Sequence, residues 1–270
     1  ECEREVRPEG DPAGPAKLNA AERRGQGKGE PARGSDHHDA RQGLPAEPGA
    51  DPVRPLLLVS HGSRDPQAQQ TTQRLAAAVA MRLEVPVGVG YLELALPTVG
   101  DALDTLGGSA VVQPLLFAPA FHATDDLPDQ LSGRPDVLVA PVLAPDPLLL
   151  DALDRRLAEA IPAGMQPDGL VLVSAGTGYP QARSLLDSVA DAWGGRHGVP
   201  GISAYASMSP AAGEALRTLR DRGCERVAVG SLFIAPGRLP AAARESALAA
   251  GAVTVTEPLA ECDELVTLVV

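Results

Sequence analysis

The sequence predicts an α/β protein: two tandem parallel-sheet βα domains, three-layered, related by an internal repeat and preceded by a disordered N-terminal tail. Three observations lead there. From Pro55 onward, short continuous apolar runs alternate with amphipathic stretches, the pattern of parallel strands covered by helices on both faces. The run from Leu56 to Ala68 matches that from Leu170 to Ala182 at a constant offset of 114 residues. Residues 1–54 hold seven Pro, eight Gly, eleven acids and nine bases, with Val6, Leu18, Leu44 and Val53 as their only large apolar side chains. Such a segment buries too little surface to offset its ordering entropy. It also lacks the apolar stretch of a signal peptide.

Each element follows from local pattern. Leu56-Leu57-Leu58-Val59 reads as a buried strand. Gln67 to Leu83 carries Leu75, Val79 and Leu83 on one helical face. Pro86 to Leu92 is a second strand, and Pro97 is placed as the first residue of a helix running to Leu106. Val111 to Phe117 is a third strand, Asp125 to Leu131 a short helix, Val137 to Ala140 a fourth strand, and Pro147 to Ala160 a helix. Asp125 and Asp126 suit a helix start, where carboxylates meet the positive end of the dipole. The pattern then restarts after a Pro/Gly-rich linker near Pro162 to Pro167. The expected domains are therefore 55–163 and 168–270. Within the repeat, Pro86 matches Pro200, Tyr91 matches Tyr205, Pro97 matches Pro210, and Leu116-Phe117 is aligned with Leu232-Phe233. The period far exceeds the 20–50 residues of solenoid repeats.

Composition removes several classes of function. The net charge of −12, from 23 Lys+Arg against 35 Asp+Glu, argues against a general nucleic-acid binder. Aromatic residues make up 3%, too few for base-stacking platforms. No apolar run approaches the roughly 20 residues of a membrane span. Cys2, Cys224 and Cys262 form no CxxC motif and no paired framework, which fits a reducing, cytoplasmic setting. Gly176-Thr177-Gly178 lacks dinucleotide-site spacing, Ser60 lacks a nucleophile elbow, and both lysines, Lys17 and Lys28, lie in the tail, so no P-loop exists. His37-His38 read as two solvated tail histidines, and His197 as structural or exposed.

In open parallel sheets, ligands bind beyond the carboxyl ends of the strands. His61 follows the first strand, Glu93 the second and His122 the third. If those strands are neighbours, the three side chains converge on one rim. Two imidazoles and a carboxylate suit a borderline divalent metal such as Fe, Co, Ni or Zn. The repeat supplies an internal control: its second copy has Ala175 for His61, Ser207 for Glu93 and, in this alignment, Arg238 for His122. The framework is duplicated and the candidate ligands are not.

Three stretches carry a resemblance. Leu57 to Pro66 (LLVSHGSRDP), Tyr91 to Pro97 (YLELALP) and Pro114 to Pro128 (PLLFAPAFHATDDLP) resemble the sirohydrochlorin chelatases, class II tetrapyrrole chelatases of cobaltochelatase and ferrochelatase type. The resemblance spans residues 55–270 in the two-repeat, single-chain form. It implies two chelatase-like domains and ATP-independent insertion of Fe2+ or Co2+, as substrate, into sirohydrochlorin, in sirohaem or cobalamin synthesis. No organic cofactor is implied. The family's metal-site histidines carry over onto His61 and His122, as catalytic residues and metal ligands, and its acidic partner onto Glu93. A polycarboxylate macrocycle calls for arginines at its rim, hence Arg64 and Arg238 as substrate contacts, with Phe121 against the ring. Leu115 and Phe117 are expected mainly in the core. The fused repeat can substitute for a homodimer of single units, allowing a monomer. The alternative is a non-catalytic carrier of metal or tetrapyrrole, for which an open three-ligand site is poorly suited.

Overall fold

The computed structural model describes residues 53–270. The tail reading, His37-His38 and Cys2 lie outside the described residues. The described chain forms two four-stranded parallel sheets. In chain order the first repeat contains β1 (Leu56–Ser60), α1 (Pro66–Ala80), β2 (Val87–Tyr91), α2 (Val99–Thr105), β3 (Val111–Pro114), a π-helical turn (His122–Asp126), α3 (Leu127–Gln130), β4 (Leu138–Val139) and α4 (Pro147–Ala160). The second contains β5 (Gly169–Ser174), α5 (Pro180–Arg196), β6 (Gly201–Tyr205), α6 (Ala212–Asp221), β7 (Val227–Ser231), α7 (Arg238–Ala249), β8 (Thr254–Val255) and α8 (Asp263–Val269).

The strand orders are β2-β1-β3-β4 and β6-β5-β7-β8. Leu57 of β1 pairs with Gly88 on one side and Val112 on the other. β1 thus stands between the two strands with which it shares a rim, where the winding reverses direction. Alternate residues of the central strands point to opposite faces. Leu56 and Leu58, with Leu170 and Leu172, enter one apolar cluster shared by both halves. Leu57 and Val59 face α2 in a separate outer cluster, and Val171 and Val173 face α6 in another.

The last helix of each repeat crosses to the other half. By chain order α4 follows the first sheet, but it packs on α5, β7 and β8. Leu153 and Trp193 lie over Gly230 of β7, where a Cβ would stand 2.6 Å from the indole ring. The Trp193 indole N–H donates to Asp154 Oδ1 at 2.8 Å, and the Thr254 hydroxyl donates to the Ala160 carbonyl at 3.0 Å. His197, at the end of α5, also meets Asp154 Oδ1, at 2.7 Å, a structural pairing. In return α8 packs on α1 and α4. Arg82 reaches Asp263 at 3.3 Å, and Arg155 clasps Glu264 through two guanidinium nitrogens at 2.7 Å. Cys224 and Cys262 are buried and free.

Two sequence expectations need correction. Pro97 does not open a helix: Thr98 is the N-cap, its hydroxyl accepting from Asp101 N–H at 3.2 Å. The Pro97 carbonyl instead accepts from Tyr91 N–H at 3.0 Å, which holds it against the end of β2. The second correction concerns the repeat register. Leu115 N–H donates to Val59 O and Leu232 N–H to Val173 O, at 2.7 and 2.8 Å. Leu115 therefore corresponds to Leu232, an offset of 117, and Ala118-Pro119 falls on Ala235-Pro236. The apolar runs Leu115-Leu116-Phe117 and Leu232-Phe233-Ile234 look alike one residue out of step. In the observed register Leu239 is the counterpart of His122, and Arg238 that of Phe121.

The offset then drops to 116: Val139 pairs with Val112, whereas Val255 pairs with Val229. The first repeat thus carries one extra residue between β3 and β4. The buried pair Leu127 and Leu131 matches the buried pair Ala243 and Ala247 in the new register. The extra residue is absorbed at His122–Asp126, which winds as a π turn where α7 is regular. Single π turns of this kind are frequent at functional sites.

Candidate metal centre and cleft

Each candidate ligand is fixed by the exit of a strand. After β1 the chain turns at Gly62, which has φ +98°, a conformation that L side chains rarely adopt; a Cβ there would also overlap the Glu93 carbonyl oxygen. The close approach lets Glu93 N–H donate to His61 O at 2.9 Å, extending the β1–β2 ladder past its last strand residue. His61 and Glu93 are thereby adjacent, with His61 Nε2 3.0 Å from Glu93 Oε1. His122 arrives from β3 on the π turn. Its ring lies edge-on to His61, with centroids 4.4 Å apart. Ligand atoms of His61, Glu93 and His122 all lie within 4.8 Å of one another. The His61 and Glu93 side chains are 43% and 49% exposed, so the cluster is open to an incoming ligand.

The ring nitrogens are not equivalent. His61 Nδ1 is 3.1 Å from the Gly62 carbonyl, and His122 Nδ1 is 2.8 Å from Asp126 Oδ2. Asp126 also accepts from Gln130 Nε2 at 2.9 Å, and the same amide nitrogen donates to Leu92 O at 3.1 Å. Burial pushes the Asp126 pKa up. The hydrogen bonds from His122 and Gln130, with the field of the two histidines, outweigh it and hold the carboxyl below its ordinary value. Asp126 stands, as expected, at a helix start, the residue before α3, but its carboxylate caps no backbone N–H and turns back onto His122 instead. The signal available in the sequence was the four-residue spacing His122 to Asp126 to Gln130, which stacks side chains on one helical face.

A cleft of about 830 Å³ opens beside these residues, walled by the strand exits of both halves. Arg64 and Arg238 both line it. Both are exposed, and neither has an ion-pair partner among the described residues. Their loops adjoin, since a Cβ on Gly237 would be 4.0 Å from Ser63 Oγ. Leu115 and Phe117 pack with the core and line the cleft as well. Phe121 does not: it is 52% exposed, and its ring stands edge-on to His122 with centroids 5.3 Å apart. The π turn starts immediately after it. Between the two repeats, Tyr179 of the β5–α5 loop donates from its hydroxyl to Asp125 Oδ2 at 3.1 Å. That bond to a carboxylate, then burial, raise the tyrosine pKa. No spacing or motif announces this link between the halves.

The CbiX family model matches residues 55–160 and again residues 169–270. The chain belongs to the CbiX family. The sirohydrochlorin cobaltochelatase of Methanosarcina barkeri is 28% identical over 124 residues, covering 39% of this chain and 95% of the relative. That of Methanococcoides burtonii is 31% identical over 86 residues, covering 30% of this chain and 66% of the relative. Each alignment spans about one repeat. Among solved structures, Bacillus subtilis SirB with Fe3+ shares the fold at TM-score 0.64 and 21% identity, covering 80% of this chain and 92% of SirB. A CbiX described as the terminal enzyme of sirohaem biosynthesis in denitrifying bacteria gives TM-score 0.61 at 23% identity, covering 80% and 96%. The two CbiX units of this chain thus correspond to its two sheets, and the three candidate ligands lie in the first.

Among the described residues no helix is long and apolar enough to cross a membrane.

Proposed function

We propose that this chain is a sirohydrochlorin chelatase that inserts Fe2+ or Co2+ into the macrocycle without ATP, in sirohaem or cobalamin biosynthesis. The observation that carries this reading is the convergence of His61, Glu93 and His122, ligand atoms within 4.8 Å, at the edge of the shared cleft. The names of the M. barkeri and M. burtonii relatives support the substrate class.

The geometry suits the task. Insertion replaces two pyrrole protons by one divalent metal, so a metal and two proton acceptors must meet the ring at one place. Three protein ligands on an exposed rim hold the ion with positions left open, which favours transfer over storage. The imidazole lone pairs freed as the metal leaves can accept the pyrrole protons. The exposed guanidiniums of Arg64 and Arg238 receive carboxylates of the macrocycle, and the apolar wall at Leu115 and Phe117 takes its flat face. The two halves supply both walls within one chain, which supports a monomeric working unit.

The test is anaerobic absorbance spectroscopy of purified protein with sirohydrochlorin and either Fe2+ or Co2+. Catalysed conversion with multiple turnovers, lost in His61→Ala and His122→Ala, is expected. Stoichiometric binding without turnover would replace the enzyme by a carrier.

A further inference from the structure

We propose that Asp126 is a positioning residue for His122, and that Gln130 is the strut that holds Asp126 in place. The inference rests on the chelatase reading only in taking His122 as a metal ligand.

An imidazole offers two nitrogens, and a metal ligand must present the right lone pair in the right direction. Asp126 Oδ2 lies 2.8 Å from His122 Nδ1. A carboxylate there accepts, so Nδ1 carries the proton and Nε2 keeps its lone pair for the metal. His61 has an acceptor at each ring nitrogen, the Gly62 carbonyl 3.1 Å from Nδ1 and Glu93 Oε1 3.0 Å from Nε2, so its neighbours set no single tautomer in the metal-free ring. The choice is made at His122. It depends there on a side chain that must itself be held.

Gln130 does this. Its amide nitrogen bridges Asp126 Oδ1 at 2.9 Å and the Leu92 carbonyl at 3.1 Å. Leu92 immediately precedes Glu93, so the bridge ties the turn bearing His122 to the strand exit bearing Glu93. The extra residue in the first repeat falls within this turn. In the regular α7 of the second repeat the counterparts of Asp126 and Gln130 are Ala242 and Ser246, and that of His122 is Leu239. Ligand, positioner and strut are absent together where the π turn is absent.

The tautomer can be read in metal-free protein by ¹⁵N resonances of the imidazoles. Wild-type His122 is expected as the Nδ1–H form. Asp126→Ala releases it to a mixture of forms, lowers Co2+ affinity about 10- to 100-fold, and alters the visible ligand-field spectrum of bound Co2+. Asp126→Asn recovers part of the loss, because its amide oxygen still accepts from Nδ1–H. Gln130→Met, which leaves the carboxylate without its strut, weakens Co2+ binding less than Asp126→Ala does. An unchanged tautomer together with unchanged Co2+ affinity in Asp126→Ala overturns the proposal. If Asp126→Ala does not fold, Gln130→Met decides: affinity within about twofold of wild type, below the range for such outer-shell partners, overturns it. A wild-type protein that binds Co2+ in this Asp126-dependent way, yet inserts none into sirohydrochlorin, overturns the chelatase reading and leaves the positioning role standing.

Discussion

The two rims share one backbone and differ in chemistry. Gly62 and Gly176 turn at φ +98° and +106°, and the second residue after each neighbouring strand bonds back across the turn: Glu93 N–H to His61 O at 2.9 Å, Ser207 N–H to Ala175 O at 3.0 Å. Where the first rim has His61 and Glu93, the second has Ala175 and Ser207, and the Ser207 hydroxyl closes onto Ala175 O at 2.7 Å. The second rim shows that the turn needs neither imidazole nor carboxylate to form. Ligand side chains are thus additions to a frame that stands without them, and the frame can be tested separately from the chemistry.

The largest effect is expected from removing the ligands. His61→Ala and His122→Ala should each lower metal insertion by more than the about 100-fold that bounds outer-shell losses, with circular dichroism unchanged. Insertion at wild-type rate in both variants would remove the first rim from the reaction. The converse is to write ligands into the second rim. Wild type should bind one Co2+ per chain by titration calorimetry. Ala175→His, Ser207→Glu and Leu239→His together should add a second, weaker site, because α7 lacks the π turn and Ala242 cannot orient the new imidazole. A wild type that already binds two equivalent ions would end the asymmetry.

A smaller effect separates metal from macrocycle. Arg238→Ala should weaken sirohydrochlorin binding about tenfold, near 1.4 kcal/mol, while Co2+ binding to the free protein stays unchanged. Equal losses of both would place Arg238 at the metal instead. The smallest expected effect lies at the clasp between α4 and α8. The hydrogen bond from Arg155 holds the Glu264 carboxyl below its ordinary pKa. A depressed folded-state pKa stabilises at pH above the unfolded value and is lost as pH falls through the folded one. Glu264→Gln should therefore lower Tm by a few degrees at pH 7, at most about 1 kcal/mol for a partly exposed pair. The difference should vanish well below pH of about 4, the ordinary glutamate range. A difference that persists there would mean packing, not charge, joins the helices.

Much of this was legible in the chain. The strand runs, the repeat and the placing of His61, Glu93 and His122 after three successive strands follow from apolar periodicity and spacing, which are local. What was not legible depends on register or on distant contacts. The third strand slipped by one because Leu115-Leu116-Phe117 and Leu232-Phe233-Ile234 are both uniformly apolar, and only hydrogen bonds distinguish the alignments. Asp126 fits a dipole partner at a helix start as well as a partner of His122 four residues back, and spacing alone does not choose between the two. Phe121 is expected beside the ring from its place next to a candidate ligand; its half-exposed, edge-on setting against His122 depends on the local winding of the turn, which spacing does not give. Tyr179 meets Asp125 across 54 residues of sequence, beyond the reach of any spacing rule.

The crossing of α4 and α8 bears on synthesis. When β4 and α4 have left the ribosome, α4 has no sheet to lie on, because β7 and β8 are still to be translated. Its apolar face, with Leu149, Leu153 and Leu157, must wait uncovered. The end of α1 waits longer: the α8 side of the Arg82–Asp263 contact lies 181 residues downstream. Neither half can therefore finish as an independent unit during elongation, unlike ordinary tandem domains, which fold one after another as they emerge. The first repeat can reach its full packing only once α8 has emerged, and a ribosome stalled inside the second repeat would hold α1 and α4 without their α8 contacts.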